Sequence, residues 1–152
     1  MIRDVVFVSL PSYVDDRGYL CVLMDPQQIR EVIVPPIRRV YFVGNFSKGT
    51  IRAFHRHKKN WDCFFISHGS AKFVLTDGRL ESATHKETAT YVISSRNPSL
   101  LIVPPGIWHG WMSLEDDTQL VNLASESLDK SNPDEERIPP DSFGDVWTVK
   151  GR

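Results

Sequence analysis

The chain has 152 residues, which is enough for one domain with a hydrophobic core and too few for two. Its 18 basic and 19 acidic side chains leave a formal charge of −1, so no basic excess favours nucleic acid as a partner. No apolar segment has the length of a signal peptide or a membrane span, and we expect a cytoplasmic protein without a membrane partner. Cys21 and Cys63 lie in apolar segments, which favours buried thiols over a disulfide.

Short runs of β-branched and aromatic residues alternate with turn residues along most of the chain. The predicted strands cover residues 5–10, 19–24, 40–43, 63–66, 71–75, 90–93, 100–103 and 119–123. Gly, Pro, Asn and Asp separate these runs, a pattern typical of an all-β sandwich or barrel. One short helix is predicted at 25–32, where Asp25 suits an N-cap and Pro26 the first helical position. The polar, proline-bearing residues 133–152 are expected to wrap the surface without forming core.

The most informative segment, residues 49–69, contains two histidines and an acidic residue at defined spacing. His55 and His57 are two residues apart, so on a strand their side chains point to the same face. Asp62 can return to that face if the next strand begins close to it. A third imidazole, that of His109, follows a Pro-Pro-Gly turn that would aim it into the mouth of a barrel.

Two chemistries are open for these side chains. Three imidazoles and a carboxylate can bind a divalent metal, in which case the ligands would be His55, His57, Asp62 and His109. Alternatively, an imidazole can abstract a proton beside a carbonyl, because it titrates near neutral pH, where a general base works best. In that case Asp62 would orient an imidazole and fix its tautomer.

The two histidine segments resemble the paired signatures of the cupin superfamily, whose fold is a double-stranded β-helix or jelly-roll barrel. The first segment matches, with Asp62 where many cupins have Glu or Gln. The second matches through Pro104-Pro-Gly-Ile-Trp-His109, with Ser113 in place of the usual Asn. This resemblance implies an all-β cupin domain over residues 1–152.

A narrower resemblance, to the dTDP-4-dehydrorhamnose 3,5-epimerase family, covers almost the whole chain. The segments that carry it are Asp16-Arg-Gly-Tyr-Leu, Gly49 to His57, Leu75-Thr-Asp-Gly-Arg, Asn97-Pro, Ile102 to Trp111, Asn132-Pro-Asp-Glu-Glu-Arg and Asp145-Val-Trp. The resemblance implies an epimerase of a nucleotide-diphospho-4-keto-6-deoxy sugar in deoxysugar or polysaccharide synthesis. The proton to be removed lies alpha to the C4 carbonyl, which delocalises the resulting charge as an enolate.

The same resemblance assigns roles to particular residues. His55 corresponds to the family's base, and Arg52 to a cation that stabilises the enolate or binds a phosphate. The family's catalytic Tyr falls on Asn122, and the chain ends before the tail that carries an Asp partner for the base. Tyr41 or Tyr91 would then supply the second proton, and the sequence does not choose between them.

The centre of the chain also resembles the nucleotide-sugar 3,4-ketoisomerases, through Arg39-Val-Tyr-Phe and His55-Arg-His57-Lys58. In those enzymes both histidines transfer protons and no metal is needed, so ketoisomerisation is one alternative function. A metal-dependent cupin that acts on another small molecule is the other. No cofactor is favoured, and a divalent metal is the alternative. A homodimer is expected, because an exposed N-terminal strand can pair across subunits. The predicted catalytic residues are His55, His57 and Asp62, and the predicted substrate contacts are Arg52, His109, Lys58, Asn122 and Tyr41.

Overall fold

Short alternating strands build two facing antiparallel sheets in the computed structural model, which describes residues 1–25 and 36–149. The strands are β1 (Val6–Ser9), β2 (Ser12–Asp15), β3 (Gly18–Cys21), β4 (Arg39–Asn45), β5 (Ile51–Arg56), β6 (Asp62–His68), β7 (Ser70–Asp77), β8 (Thr88–Ser94), β9 (Ser99–Val103), β10 (Ile107–Ser113), β11 (Thr118–Ala124) and β12 (Glu136–Arg137). Apart from Asp25, the helix predicted at 25–32 lies outside the described residues. Within them no helix is long and apolar enough to cross a membrane.

The strand order explains how residues distant in sequence come together. The first sheet has the order β1-β9-β6-β11-β4 and the second the order β12-β5-β10-β7-β8, while β2 and β3 form a separate hairpin. Each predicted strand overlaps an observed one, and the strand inferred for the histidines is β5, so the all-β prediction is confirmed. Strands β2, β10 and β12 fall outside the predicted runs. Strand β2 is exposed along its whole length, and β12 has two residues, so neither carries a core-facing pattern.

The hydrophobic core fills the space between the two sheets. Its most buried members include Ile66, Phe73, Leu75, Leu101 and Ile107, each no more than 1% exposed. Along a single strand, the inward-facing positions can change from polar to apolar. Strand β6 begins with the buried carboxylate of Asp62, and its next inward-facing residues are Phe64 and Ile66. The polar positions therefore form a compact group beside the core. Both cysteines are free thiols; Cys63 is buried, as predicted, whereas Cys21 is only half-buried.

The C-terminal segment covers the outer face of β5. Strand β12 pairs with β5 so that Arg137 lies opposite His55. Further along, the rings of Phe143 and Trp147 pack on Phe54, with ring centroids 4.8 and 5.2 Å from it. Phe54 points away from the barrel interior but is only 1% exposed, because this segment shields it from solvent.

A close backbone approach between β5 and β10 places two histidines side by side. A Cβ atom added to Gly110 would lie 2.3 Å from the Cβ of Ala53 and 2.8 Å from its Cα. Only glycine at position 110 and a small residue at position 53 allow the strands to come this near. In the resulting register His55 lies directly opposite His109.

We predict that Phe54→Ala destabilises the protein by about 3 kcal/mol, because it leaves a cavity under the aromatic rings of the C-terminal segment. Leu80→Ala is the matched control, since Leu80 is 78% exposed. Its free energy of unfolding should change by less than about 0.5 kcal/mol. Urea unfolding of both variants measures the effect. Equal, small changes in the two would mean that the C-terminal segment does not pack on β5 in solution.

Candidate active site

A cleft lies where the inward faces of β4 and β5 meet the segment that follows β11. It consists of two adjoining cavities of about 400 and 450 Å³, and the residues common to both linings are Tyr41, His55, Glu135 and Arg137. The first cavity also contacts Arg39 and His57, and the second contacts Arg52, Phe64 and Trp111. Charged, polar and aromatic side chains thus converge on a space large enough for a small ligand.

The three predicted histidines lie close together: His55 and His57 line the first cavity, and His109 is buried next to them. His55 lies on β5, His109 on β10, and His57 directly follows β5. Ring centroids are 4.1 Å apart for His55 and His109, and 5.6 Å apart for His55 and His57. One ring nitrogen from each histidine lies within 4.8 Å of those of the other two.

The carboxylate of Asp62 is buried among polar partners, with only 1% of the residue exposed. Its Oδ1 accepts hydrogen bonds from the amides of Asn60 (2.8 Å) and Asn122 (2.7 Å). Its Oδ2 lies 3.3 Å from Nε2 of His57 and 3.4 Å from Nε2 of His109. Burial alone would raise the pKa of Asp62, but His109, His57 and the Asn122 amide outweigh it and hold the pKa below its usual value. Asp62 is therefore a carboxylate at neutral pH.

The tautomers of His57 and His109 follow from their other ring nitrogens. Nδ1 of His57 donates to the backbone carbonyl of Asp134, and Nδ1 of His109 donates to that of Ile107 (2.9 Å). In both rings Nε2 is thereby directed at Asp62. The carboxylate of Asp62 thus fixes which edge of each ring faces it.

His55 has a different environment from the other two histidines. Among residues 1–25 and 36–149, none hydrogen-bonds to its ring nitrogens, and Asp62 is not within ion-pair distance of it. Burial lowers the pKa of His55 well below its usual value, and the neighbouring His109 lowers it further. His55 is thus a neutral imidazole that lines the cleft, which is the state required of a general base. Asp62 orients His57 and His109, whereas the sequence left open which imidazole it would hold.

Asp134 fixes the loop that carries His57. Its carboxylate accepts backbone N–H bonds from Lys58, Lys59 and Asn60, each at 2.9 Å. The family resemblance covers Asn132-Pro-Asp-Glu-Glu-Arg but assigns no role to Asp134, which is 77 residues from His57. Lys58, predicted as a substrate contact, does not line the cleft with the histidines. Its ammonium lies 3.3 Å from Oε1 of Glu136 instead.

Three arginines supply positive charge along the cleft. Nε of Arg52 donates to Oδ1 of Asn45 (2.7 Å), which holds the guanidinium beside the second cavity. Arg137 lines both cavities because β12 pairs with β5. Arg39 lies in the first cavity, with its guanidinium carbon 5.0 Å from the ring centroid of Tyr41. Sequence reasoning identified Arg52 but missed Arg137, whose placement depends on a two-residue strand.

The remaining predicted contacts, Asn122 and Tyr41, are direct neighbours. Strand β11 pairs with β4 so that these two residues lie opposite one another. Nδ2 of Asn122 donates to the Tyr41 hydroxyl at 2.7 Å, as well as to Asp62. Of the predicted residues, four line the cleft: His55, His57, Arg52 and Tyr41. Asp62, His109 and Asn122 are buried next to it and line neither cavity, and Lys58 lies outside it.

Comparison with known proteins places this chain in a family. The family described as dTDP-4-dehydrorhamnose 3,5-epimerase matches residues 1–142. The chain belongs to this family. It is therefore an isomerase-class enzyme, and the resemblance read from the sequence motifs is confirmed.

The sequence matches to relatives cover most or all of the chain. The spore coat polysaccharide biosynthesis protein SpsL of Bacillus subtilis is 34% identical, with complete coverage of both chains. The probable low-salt glycan biosynthesis epimerase Agl13 of Haloferax volcanii is 32% identical, over 92% of this chain and 89% of Agl13. The crystal structure of dTDP-4-dehydrorhamnose 3,5-epimerase from Bacillus anthracis, with TDP and PPi bound, has a TM-score of 0.88 at 21% identity and covers 97% of this chain and 87% of that one. This likeness in fold confirms the jelly-roll prediction for this epimerase-family chain.

We predict that the stabilising effect of Asp62 depends on pH. Because the folded pKa lies below the unfolded value, the contribution is complete above the unfolded pKa and is lost as pH falls toward the folded pKa. Asp62→Asn removes this titration. The difference in free energy of unfolding between wild type and Asp62→Asn should shrink as pH falls from about 5 to about 3. Urea unfolding at several pH values measures it, and a difference independent of pH would contradict the assigned ionic state.

Proposed function

We propose that this protein epimerises a nucleotide-diphospho-4-keto-6-deoxy sugar by removing a proton alpha to the C4 carbonyl, in the cytoplasm. The observation that carries the proposal is the neutral, cleft-lining His55, placed beside fixed cations in a chain of the epimerase family. A neutral base can accept a carbon-bound proton without first losing one of its own. The dTDP-linked sugar of the family name supports a nucleotide sugar as the substrate.

The charges of the cleft suit this reaction. When His55 takes the alpha proton, the electron pair of the C–H bond moves into an enolate, and negative charge develops on the carbonyl oxygen. Arg52 is already held by Asn45, so its charge is in place before the reaction begins. Arg39 adds positive charge to the first cavity for a diphosphate, whereas Arg137 is paired with Glu135 at 2.9 Å. Asp62 keeps His57 and His109 in one orientation beside the base.

Ketoisomerisation is the second candidate function, and one observation favours it. His57 lines the first cavity beside His55, so two imidazoles are available for the two proton transfers that moving a carbonyl to the next carbon requires. Product analysis separates the two reactions. In an epimerisation the carbonyl stays at its carbon and a stereocentre inverts, whereas in a ketoisomerisation the carbonyl changes its position.

We predict that His55→Asn slows turnover of a dTDP-linked 4-keto-6-deoxyhexose by roughly 10² to 10⁴-fold, the range expected for loss of a general base. Incubation in D₂O followed by ¹H NMR measures both deuterium incorporation at the alpha carbon and formation of the epimer. His68→Asn is the matched control, because His68 is an exposed histidine outside the cleft. Its rate should equal that of wild type.

The same assay tests the metal alternative. Proton transfer by the side chains of the cleft predicts that wild type purified without a metal-affinity column and treated with EDTA keeps its rate. Loss of turnover with EDTA, restored by one equivalent of a divalent cation, would favour the set His55, His57, Asp62 and His109 as metal ligands. Absence of deuterium exchange with every dTDP-linked 4-keto sugar would contradict the proposed reaction itself.

A homodimer belongs to the same proposal, and the exposed edge of the first sheet supports it. Strand β4 ends that sheet, with Val40 61% and Phe42 70% exposed. The β2–β3 hairpin pairs with no other strand among the described residues, and Val14 and Tyr19 on it are 77% and 69% exposed. An isolated two-stranded hairpin is only marginally stable in water, so a second copy that covers these surfaces would stabilise both.

We predict that Phe42→Asp dissociates the dimer, since a charge would be buried in an apolar interface. Sedimentation velocity compares its mass with that of wild type. Leu80→Asp is the control, because Leu80 is comparably exposed but lies on the loop between β7 and β8. A wild-type protein that sediments as a monomer would contradict the proposed dimer.

A further inference from the structure

The pairing of β4 with β11 brings the phenol of Tyr41 beside Asn122, the position to which the family resemblance assigns a catalytic tyrosine. Asn122 occupies the β11 position at which related epimerases are expected to carry a catalytic tyrosine. Directly opposite it on β4 stands Tyr41, whose hydroxyl is 2.7 Å from Nδ2 of Asn122. The phenol oxygen therefore lies within one hydrogen bond of the side chain at the family position. Tyr41 also lines both cavities of the cleft, together with His55.

The hydrogen-bond directions leave the Tyr41 proton available. The amide nitrogen of Asn122 can only donate, so the phenol oxygen accepts in this contact. The hydroxyl hydrogen must point elsewhere, and within the described part of the chain no side chain or carbonyl accepts it. The space left to it is the cleft. A substrate atom in the cleft can therefore receive this proton.

The surroundings of Tyr41 suit a proton donor. Burial raises the pKa of the phenol, and the nearby charge of Asp62 raises it further, so the hydroxyl is protonated at neutral pH. Once the proton is given up, the phenolate keeps the Asn122 hydrogen bond and has the Arg39 guanidinium 5.0 Å from its ring centroid. Both contacts stabilise the anion that the transfer creates.

The other tyrosines of the chain do not meet these conditions. All four tyrosines lie in the described ranges. Tyr13 and Tyr19 are on the exposed β2–β3 hairpin, and Tyr91 is on β8, where it packs against Phe7 at 5.2 Å. Neither cavity of the cleft is lined by Tyr91. The structure thus separates Tyr41 from Tyr91, which the sequence could not do.

Tyr41 and His55 belong to opposite sheets, so they approach the cleft from facing walls. A planar enolate held between them presents one face to the imidazole and the other to the phenol. Inversion at carbon needs this arrangement, because the proton must leave from one face and another must arrive on the other. A single base would return its proton to the face from which it came.

We propose that Tyr41, relocated to β4 from the family's β11 position, is the catalytic acid that completes inversion, an inference that rests on the proposed epimerase function. His55 takes the alpha proton and becomes an imidazolium, while the C–H electron pair moves into the enolate. The enolate carbon then takes the Tyr41 proton on its opposite face, so a new C–H bond forms and the O–H bond breaks. Solvent afterwards removes the proton from His55 and returns one to the phenolate.

The test is Tyr41→Phe, which keeps the ring and removes only the hydroxyl, assayed with a dTDP-linked 4-keto-6-deoxyhexose in D₂O. Formation of the inverted product should fall by roughly 100-fold or more. His55 should still exchange the alpha proton, so the starting sugar should be recovered deuterated with its configuration retained. Tyr91→Phe, the matched control, should match wild type in both measurements.

Two results would overturn the role of Tyr41. One is inversion by Tyr41→Phe at the wild-type rate. The other is a parallel loss of exchange and inversion, which a purely structural or binding role would produce. Failure of the proposed function looks different, because wild type itself would then show neither exchange nor inversion.

Discussion

One buried negative charge, the carboxylate of Asp62, organises the polar interior of this barrel. Ionised carboxylates are costly to bury unless hydrogen bonds and opposite charge compensate for lost water. Here the compensation comes from Asn60, Asn122, His57 and His109, which belong to the β5–β6 loop, β11 and β10. The charge therefore joins both sheets at one point. Removing any one partner would leave the carboxylate undercompensated, so the surrounding side chains are constrained together.

This constraint divides the imidazoles into two kinds. His57 and His109 are held by backbone carbonyls on one side and by Asp62 on the other, so the orientation of each ring is fixed. His55 lies within 4.1 Å of the His109 ring but has no such partner, and its pKa is lowered. Similar side chains thus acquire different environments from their burial and their hydrogen bonds.

The sequence predicted local features well and the long-range ones poorly. Strand periodicity predicted the all-β fold, and the spacing of His55 and His57 correctly put both imidazoles in one cleft, because side-chain direction in a strand is a local property. By contrast, Asp134 and Arg137 reach the cleft through a C-terminal segment that pairs with β5, far away in sequence. Lys58, a predicted substrate contact, lines neither cavity, and its ammonium lies 3.3 Å from Glu136 of that segment. Register between distant strands cannot be read from local composition.

The contact between Gly110 and Ala53 has a consequence for how such an enzyme can change. The separation of the His55 and His109 rings is set by two backbones touching, not by the imidazoles themselves. Gly110 has no side chain that could contact a substrate. Any larger residue at this position would push β5 away from β10 and increase the distance between the His55 and His109 rings. The most restricted position near the chemistry is one with no chemistry of its own.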